Sequence, residues 1–352
     1  MHTLIRLQAL SAAAAITLLA GCSGGSAIAP KPASQQGGAH SSVGRMSEVL
    51  SSMGIPNNVN ANPAHHFKSF DGCPALGPIK YVSDYENNII TIFTGKFAGQ
   101  APCGQITSGI NRPQLLYVST SAHDLYVANW GDYNVLVFHR GQITPYNTYT
   151  DPSGQYVADV TVAKDGTVIA SNYQSLNGPE LGSLSTWIGG PNGGTFVGNF
   201  PLTTDLYGLA ITVRRNGTVY YSDVDSNSRT GVLWSLSCPA GACGTQTQVA
   251  GVSFIYPLGM RFDAEGDLVA IDAGALTADT FELPNPKPKT FPLTGMPGGV
   301  DINPLDHHLF TTDLANNDAA EYSYPSGKLI GTVAGNPGAN LVGIAVDPGH
   351  VR

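Results

Sequence analysis

A two-strand unit that recurs every 41 to 51 residues constrains this chain more than any other feature. In each unit a hydrophobic strand with period-2 alternation of apolar and polar residues is followed by a tight polar turn and a second apolar strand, most clearly in segments 160–172, 211–223 and 260–272. The second strand always ends in Asp or Asn, at Asp84, Asn129, Asn172, Asp223, Asp272 and Asp313. Short strands that repeat at this spacing predict a β-propeller.

The two ends of the repeating region indicate how such a ring closes. At about 46 residues per unit, segment 75–352 has room for six blades. Segment 343–349 reads as a first strand with no second strand after it, whereas Ile79–Asp84 reads as a second strand with no first strand before it. Pairing the two would leave no exposed sheet edge. We therefore predict an all-β fold, a six-bladed propeller of four-stranded blades closed by its C-terminal strand, and expect deletion of the last ten residues to open the ring.

The N-terminus has the pattern of an export signal. Arg6 precedes a short apolar stretch, 7–20, which ends in Leu19-Ala20-Gly21-Cys22. This ending resembles a bacterial lipobox, and the resemblance implies cleavage before Cys22 and attachment of lipid to its thiol. Ser23 then implies sorting to the outer membrane in a double-membraned cell. We expect a signal peptide at 1–21, a lipidated flexible tether at 22–72, rich in Gly, Ser and Pro, and the propeller at 73–352.

Charge and cysteine content agree with an extracytoplasmic protein. The formal net charge of −8 becomes −9 without residues 1–21, because Arg6 is their only charge. An acidic chain without a basic cluster is a poor candidate for nucleic-acid binding. With Cys22 lipidated, four cysteines remain for two disulfides: Cys238 and Cys243 flank a short turn, which leaves Cys73 for Cys103. No His or Cys lies at metal-ligand spacing near either pair.

Segments 82–93 and 127–138 resemble NHL repeats, with an acid or amide, an Asn-rich turn and a strand that ends in Phe. The start of another repeat is similar at 343–347, and the resemblance covers roughly residues 77–352. It implies a propeller that serves mostly as a binding platform, although the same architecture also hosts lactonases and lyases.

The more distant resemblance to the SMP-30/gluconolactonase propellers does not extend to their metal site. The axial cation of that family needs oxygen ligands just before first strands. The matching positions here are Tyr207, Leu258, Gly298 and Val342. We therefore assign no metal, no cofactor and no catalytic residue. The six recurrent Asp and Asn residues are interpreted as structural turn caps, and His307-His308 as a solvated turn.

Connections on one face of the predicted ring are long, at 97–113, 144–156, 173–182, 196–207 and 245–258, whereas turns between first and second strands are tight. Seven aromatic residues in or near them form a candidate binding face: Trp130, Tyr146, Tyr149, Tyr156, Tyr173, Tyr207 and Tyr256. Such loops suit a protein or glycan ligand, unless the rings pack the loops onto the propeller.

The sequence thus predicts a monomeric, exported propeller, held to the membrane by its N-terminal lipid only, that binds a protein or glycan without catalysis. An exported hydrolase, lactonase or lyase is one alternative. A structural component of the envelope is the other.

Overall fold

The computed structural model describes residues 73, 77–119, 122–175, 182–190, 193–202, 205–225, 230–284, 287–303 and 307–348, without the side chains of 174–175, 205–208 and 225. The chain divides into two units, Met1–Val59 and Asn60–Arg352, and all of these residues lie in the second. The predicted signal peptide, Cys22 and the tether fall outside the described residues.

Six antiparallel sheets of four strands each build the fold, as predicted. Blade 1 combines β1 (Ile79–Asp84), β2 (Ile89–Thr94) and β3 (Gly104–Ile106) with the last strand, β24 (Leu341–Asp347). Blade 2 has β4 (Pro113–Val118), β5 (Leu125–Asn129), β6 (Asn134–Phe138) and β7 (Asn147–Thr150). Blade 3 has β8 (Gln155–Val162), β9 (Thr167–Ser175), β10 (Ser183–Ile188) and β11 (Thr195–Pro201).

The second half of the ring continues the same order. Blade 4 has β12 (Asp205–Val213), β13 (Thr218–Asp225), β14 (Gly231–Ser237) and β15 (Thr247–Gln248). Blade 5 has β16 (Pro257–Phe262), β17 (Leu268–Asp272), β18 (Thr277–Phe281) and β19 (Lys289–Pro292). Blade 6 has β20 (Pro297–Asn303), β21 (His308–Asp313), β22 (Asp318–Ser323) and β23 (Lys328–Ala334). Short 3-10 helices occur at Trp130–Asp132 and Pro239–Gly241.

Ring closure follows the prediction. The C-terminal strand β24 pairs antiparallel with β1, with Ile79 opposite Asp347 and Val82 opposite Ile344. Each first strand (β4, β8, β12, β16, β20, β24) contacts the first strands of the two neighbouring blades, so these six strands surround the axis. The face on which the six recurrent Asp and Asn residues lie is called the cap face below, and the other the opposite face.

The long predicted connections were partly wrong, because four of them contain the outer strand of a blade. Strands β3, β7 and β15 lie inside 97–113, 144–156 and 245–258, and all of β11 except Thr195 lies inside 196–207. Three are only two to four residues long, and β11 has no fully buried residue. An outer strand packs against the sheet on one edge only, so it lacks the apolar pattern that marks the inner strands.

The hydrophobic core lies between neighbouring blades. Ile90 and Ile92 of blade 1, for example, pack with Leu116 and Val127 of blade 2. Hydroxyl groups reinforce these junctions: the Ser83 Oγ accepts the Gly343 N–H of its own blade at 2.7 Å and donates to the Gln114 carbonyl of blade 2 at 2.7 Å. Thr312 links blade 6 to blade 1 in the same way.

Both predicted disulfides are formed, Cys73 with Cys103 and Cys238 with Cys243. Disulfides are typical of proteins that fold in an oxidising, extracytoplasmic compartment. Within the described part of the chain, no helix is long and apolar enough to span a membrane.

Candidate functional site

An arginine closes the propeller axis. Arg261 of β16 is buried, and its guanidinium donates to the Leu116 carbonyl of β4, on the blade directly across the ring. The same group donates to Asp159 Oδ2 of β8 at 3.4 Å and lies 4.0 Å from Asp301 Oδ1 of β20. It also donates to the Ile211 carbonyl of β12 at 3.4 Å, so the side chain crosses the axis and joins five of the six first strands.

The two carboxylates that face Arg261 also hold adjacent blades together. Asp159 accepts the Ile211 N–H of blade 4 at 3.0 Å, and Asp301 accepts the Val346 N–H of blade 1 at 2.7 Å. Burial raises the pKa of both carboxyl groups, and the guanidinium opposes that rise. With every member bonded to neighbouring strands, the arrangement is a structural plug rather than a reaction centre.

The positions that correspond to lactonase ligands lie on first strands but carry no cation ligands. Leu258, Gly298 and Val342 are in β16, β20 and β24, and the side chain of Tyr207 is not described. Among the described residues, no group of three or more His, Cys, Asp or Glu is arranged to hold a metal ion. The equivalent residue of blade 2 is Gln114, which the sequence comparison had not singled out.

The recurrent Asp and Asn residues bond nearby backbone. Asp272 accepts the N–H groups of Ile255, Tyr256 and Gly274, and Asp313 accepts those of Met296 and Ala315. Corresponding bonds are made by Asp84 to Asn87 and Asn340 and by Asn129 to Asn111. Asn172 instead donates to the hydroxyls of Ser183 and Ser185, and the side chain of Asp223 is buried.

Three residues of the predicted binding face come together on the cap face, but they are buried. Trp130 packs on Tyr156, with ring centroids 4.9 Å apart, and on Tyr173 at 5.3 Å. Tyr133, which had not been predicted, packs on Tyr156 at 4.8 Å and is partly exposed. These rings therefore fix the loops onto the propeller and leave little ring surface for a ligand.

The remaining predicted aromatics are dispersed. Tyr149 is buried in β7 against Trp187, and Tyr256 is buried beside the Asp272 cap. Tyr146 is 45% exposed, but it lies at the start of β7 and therefore on the opposite face. The predicted single aromatic face does not exist as such, because strand direction places neighbouring loop residues at opposite ends of a blade.

Tyr146 forms a rigid exposed platform with His139. Their rings stack 3.6 Å apart at an interplanar angle of 8°. Both are held from below by the buried Asp124: the Tyr146 hydroxyl donates to Oδ2 at 2.7 Å, and His139 Nδ1 lies 2.9 Å from Oδ1. Burial and the Asp124 carboxylate raise the pKa of Tyr146, which keeps the phenol neutral.

Exposed aliphatic side chains flank these rings. Ile143, in the loop between His139 and Tyr146, is 41% exposed. Ile188 of blade 3 is also exposed, and its segment is tied to Asn147 by bonds to Gly190 O at 2.7 Å and from Gly193 N–H at 2.6 Å. We call His139, Ile143, Tyr146 and Ile188, with Asp124 beneath, the Tyr146 platform.

A second acid–base group lies on the same face. The buried Asp347, at the end of β24, is bonded by Arg140, and His123 Nδ1 lies 2.7 Å from its Oδ1. Both partners come from loops of blade 2, so this group fastens the closing strand. A further histidine contradicts the solvated-turn interpretation: His308 Nδ1 lies 2.6 Å from the buried Glu321, because its turn places it at the start of β21.

Sequence reasoning missed Asp124, His139 and Asp347. The available signal was the position of each at a strand end on the opposite face, for which the sequence analysis made no functional prediction. The rings of His139 and Tyr146 meet only because β6 and β7 are paired strands, a register that the short β7 does not reveal.

No protein-family model matches this chain, and no curated protein is similar to it in sequence. Solved structures share its fold. A chain of a nidogen/laminin complex is 15% identical, with a TM-score of 0.57 over 77% of this chain and 98% of that one. A Bacteroides caccae protein of unknown function is 10% identical, with a TM-score of 0.56 over 77% of this chain and 98% of that one. A streptogramin B lyase is 13% identical, with a TM-score of 0.51 over 78% of this chain and 88% of that one. This chain has the six-bladed propeller fold that these neighbours share; at such identities, fold is all they establish.

Proposed function

We propose that this chain is an exported, lipid-anchored propeller that binds a protein partner through the Tyr146 platform, without catalysis. The observation that supports this most is the exposed, immobilised pair of Tyr146 and His139 rings. Aromatic anchors that are already fixed lose little conformational entropy on binding, which is typical of interaction hot spots. The buried Asp124 carboxylate bonds these two exposed rings and joins no other pair of strands among the described residues.

A protein fits this surface better than a glycan. Ile143 and Ile188 add branched aliphatic surface beside the rings, and such surface suits the apolar core of a protein interface. The nidogen/laminin structure shows a fold neighbour within a protein complex, which agrees with this proposal. Glycan binding, the other predicted possibility, is the competing outcome of the experiment below.

Site-specific photocrosslinking tests the platform in the exported full-length chain. A photoreactive benzoylphenylalanine replaces Ile143 in one variant and Leu329 in the control, since both are about equally exposed, at 41% and 42%, but Leu329 lies on β23. We expect a discrete protein adduct from position 143 only. Purified partner should then bind Tyr146→Ala at least about tenfold more weakly, and Tyr146→Phe with a smaller loss.

Equal adducts from both positions, or a partner that binds Tyr146→Ala normally, would contradict the platform. Binding of envelope glycans that depends on Tyr146, with no protein adduct, would replace the protein partner by a glycan.

The lipid anchor and the domain boundaries are also part of the proposal, and a separate measurement tests them. We expect the mature chain to begin at Cys22, to carry lipid there, and to reach the propeller at residue 73 through the tether. Labelling with a fatty-acid analogue should mark the native chain but not Cys22→Ser, and the propeller should leave the membrane after cleavage within 23–72. Labelling of Cys22→Ser would show that the lipid is elsewhere.

The second acid–base group supports an enzyme as the alternative function. A buried carboxylate that orients a partly exposed His123 is an arrangement also used for general base catalysis. The streptogramin B lyase among the fold neighbours adds only that this fold can belong to a lyase. A panel of lactones, esters and cyclic depsipeptides, assayed with the native chain and His123→Gln, separates the two functions: turnover that the variant loses would favour the enzyme.

A further inference from the structure

Besides Asn172 Oδ1 in blade 3, the cap face holds three buried polar atoms that have no hydrogen-bond partner of normal geometry among the described residues. They are Tyr85 Oη, Gln114 Nε2 and Asn340 Oδ1, on residues that are 4%, 3% and 6% exposed. Burying a polar group without a partner is unfavourable, so native structures rarely leave several in one place unless something else satisfies them.

These three residues are neighbours at the junction of blades 1 and 2. The Tyr85 N–H donates to the Asn340 carbonyl at 2.9 Å. Ser83, two residues before Tyr85, donates to the Gln114 carbonyl at 2.7 Å. One hydrogen-bonded patch of backbone therefore carries all three unsatisfied side chains.

Arg112 adds a positive charge to this patch. Its guanidinium lies over the Tyr85 ring, 5.8 Å from the centroid, and forms no ion pair within the described part of the chain. Its backbone has a φ of +50° and is held by Asn88 Oδ1, which accepts the Arg112 N–H at 2.7 Å. Burial raises the pKa of Tyr85 to about 12, and the Arg112 guanidinium opposes that rise through its charge and its interaction with the phenol oxygen, so the phenol keeps its proton and is a hydrogen-bond donor at neutral pH.

The chemistry of these groups defines the ligand. A guanidinium fork, a phenol and an amide N–H₂ are donors that suit a planar carboxylate. Asn340 Oδ1 accepts, so the ligand needs a donor of its own. Glu86, which lies within electrostatic reach of Arg112, offsets its charge and disfavours a doubly charged anion such as phosphate. We infer that Tyr85, Arg112, Gln114 and Asn340, here named the Tyr85 corner, bind a small organic acid with a hydroxyl or ammonium group beside its carboxylate.

Ring contacts extend the same site. Tyr156 lies close to Tyr85 and packs against the buried Trp130 and against Tyr133, and the partly exposed Tyr133 ring is the surface on which an apolar or aromatic tail of the ligand would pack. Access requires the partly exposed Arg112 side chain to turn away from Tyr85, a movement that breaks no ion pair among the described residues. The Tyr85 corner lies on the cap face and the Tyr146 platform on the opposite face, so a ligand can bind the corner whether or not a protein binds the platform.

The probes are phenyllactate, which has both groups, phenylpropionate, which lacks the hydroxyl, and phenyllactamide, which lacks the charge; phenylalanine replaces the hydroxyl by ammonium. Affinity is measured by calorimetry on the full chain. Fluorine NMR with 5-fluorotryptophan locates binding, since Trp130 is one of only three tryptophans. We expect phenyllactate or phenylalanine to bind and to shift the Trp130 signal, and the amide to bind about tenfold more weakly or worse.

Two variants and one control decide the assignment. Arg112→Gln should weaken binding by about tenfold or more, and Tyr85→Phe by a few-fold. Arg214→Gln is the matched control, because Arg214 lies over Phe262 at 5.9 Å on the opposite face; it should change nothing. Failure of all four probes to bind, equal affinity for acid and amide, or full affinity in a folded Arg112→Gln would each overturn the inference.

Discussion

On the opposite face, the polar groups beneath Tyr146 are bonded to one another, whereas on the cap face three buried polar atoms around Tyr85 have no partner among the described residues. The hydrogen bonds of the first arrangement fix the exposed side chains of Tyr146 and His139, and on the same face the bonds of Asp347 fasten the closing strand β24. The second leaves hydrogen-bonding capacity unused inside the protein. Groups of the first kind stabilise the folded protein, whereas groups of the second kind are available to a ligand. Removing a bonded group should therefore lower the free energy of unfolding, and removing an unbonded one should not.

The largest effect is expected on the axis, between the two faces. Arg261→Met removes the charge that Asp159 and Asp301 share and leaves two buried carboxylates unpaired, which should lower the free energy of unfolding by about 3–5 kcal/mol at neutral pH. Urea denaturation measures the loss. Arg214→Met is the control and should cost less than about 1 kcal/mol. A small loss at Arg261 would mean that the plug is replaceable by packing, as some buried ion pairs are.

The next largest effect is expected on the opposite face, where Asp347 is bonded to its neighbours. Asp347→Asn keeps the shape of the side chain but removes the charge that Arg140 and His123 face, and should cost about 2–3 kcal/mol. Hydrogen exchange should then speed up first in β24. If stability falls by less than about 0.5 kcal/mol, strand pairing between β24 and β1 alone holds the ring closed.

The fold was readable from the sequence because its determinants are local and repeated. A strand, a turn and a second strand ending in an acid or amide recur six times, and the truncated last repeat indicates the closure. The sites were not readable for the opposite reason. Arg261 is 102 residues from Asp159 and 145 residues from Leu116 in the sequence, so no local pattern predicts that it bonds both on the propeller axis.

Aromatic residues show the same limit at shorter range. Tyr146 and Tyr149 are three positions apart in the sequence, yet one is exposed on the opposite face and the other is buried between blades 2 and 3. The long connection predicted at 144–156 placed both on a single face. What separates them is the register of the short strand β7, which is fixed by pairing with β6 rather than by its own residues.

One substitution at two positions sharpens the contrast between satisfied and unsatisfied groups. The Tyr322 hydroxyl accepts the Thr294 N–H at 3.1 Å and lies 2.7 Å from Thr294 Oγ1, whereas the Tyr85 hydroxyl has no partner of such geometry among the described residues. Tyr322→Phe should cost about 1 kcal/mol, and Tyr85→Phe should be neutral or slightly stabilising. Equal losses in urea denaturation would show that the Tyr85 hydroxyl is already satisfied, and would remove the physical basis of the corner.

The smallest effect is expected at Asp318 on the cap face, where partial burial of a charged carboxylate should lower the free energy of unfolding. Burial, and then the nearby Asp313 carboxylate, raise the pKa of Asp318 to about 6. A carboxyl whose pKa is higher in the folded than in the unfolded state loses stability as the pH rises from about 4 through about 6. Asp318→Asn should therefore match the native chain near pH 4 and be more stable near pH 7.5, by about 0.5–1 kcal/mol after solvent screening.

Asp165 provides the opposite control, because a bond from the Thr167 N–H lowers its pKa, so its contribution to stability is lost as the pH falls. Urea midpoints at the two pH values decide the matter: a pH-independent difference for Asp318→Asn would mean that its carboxyl group titrates normally and that the cap face tolerates the charge without cost.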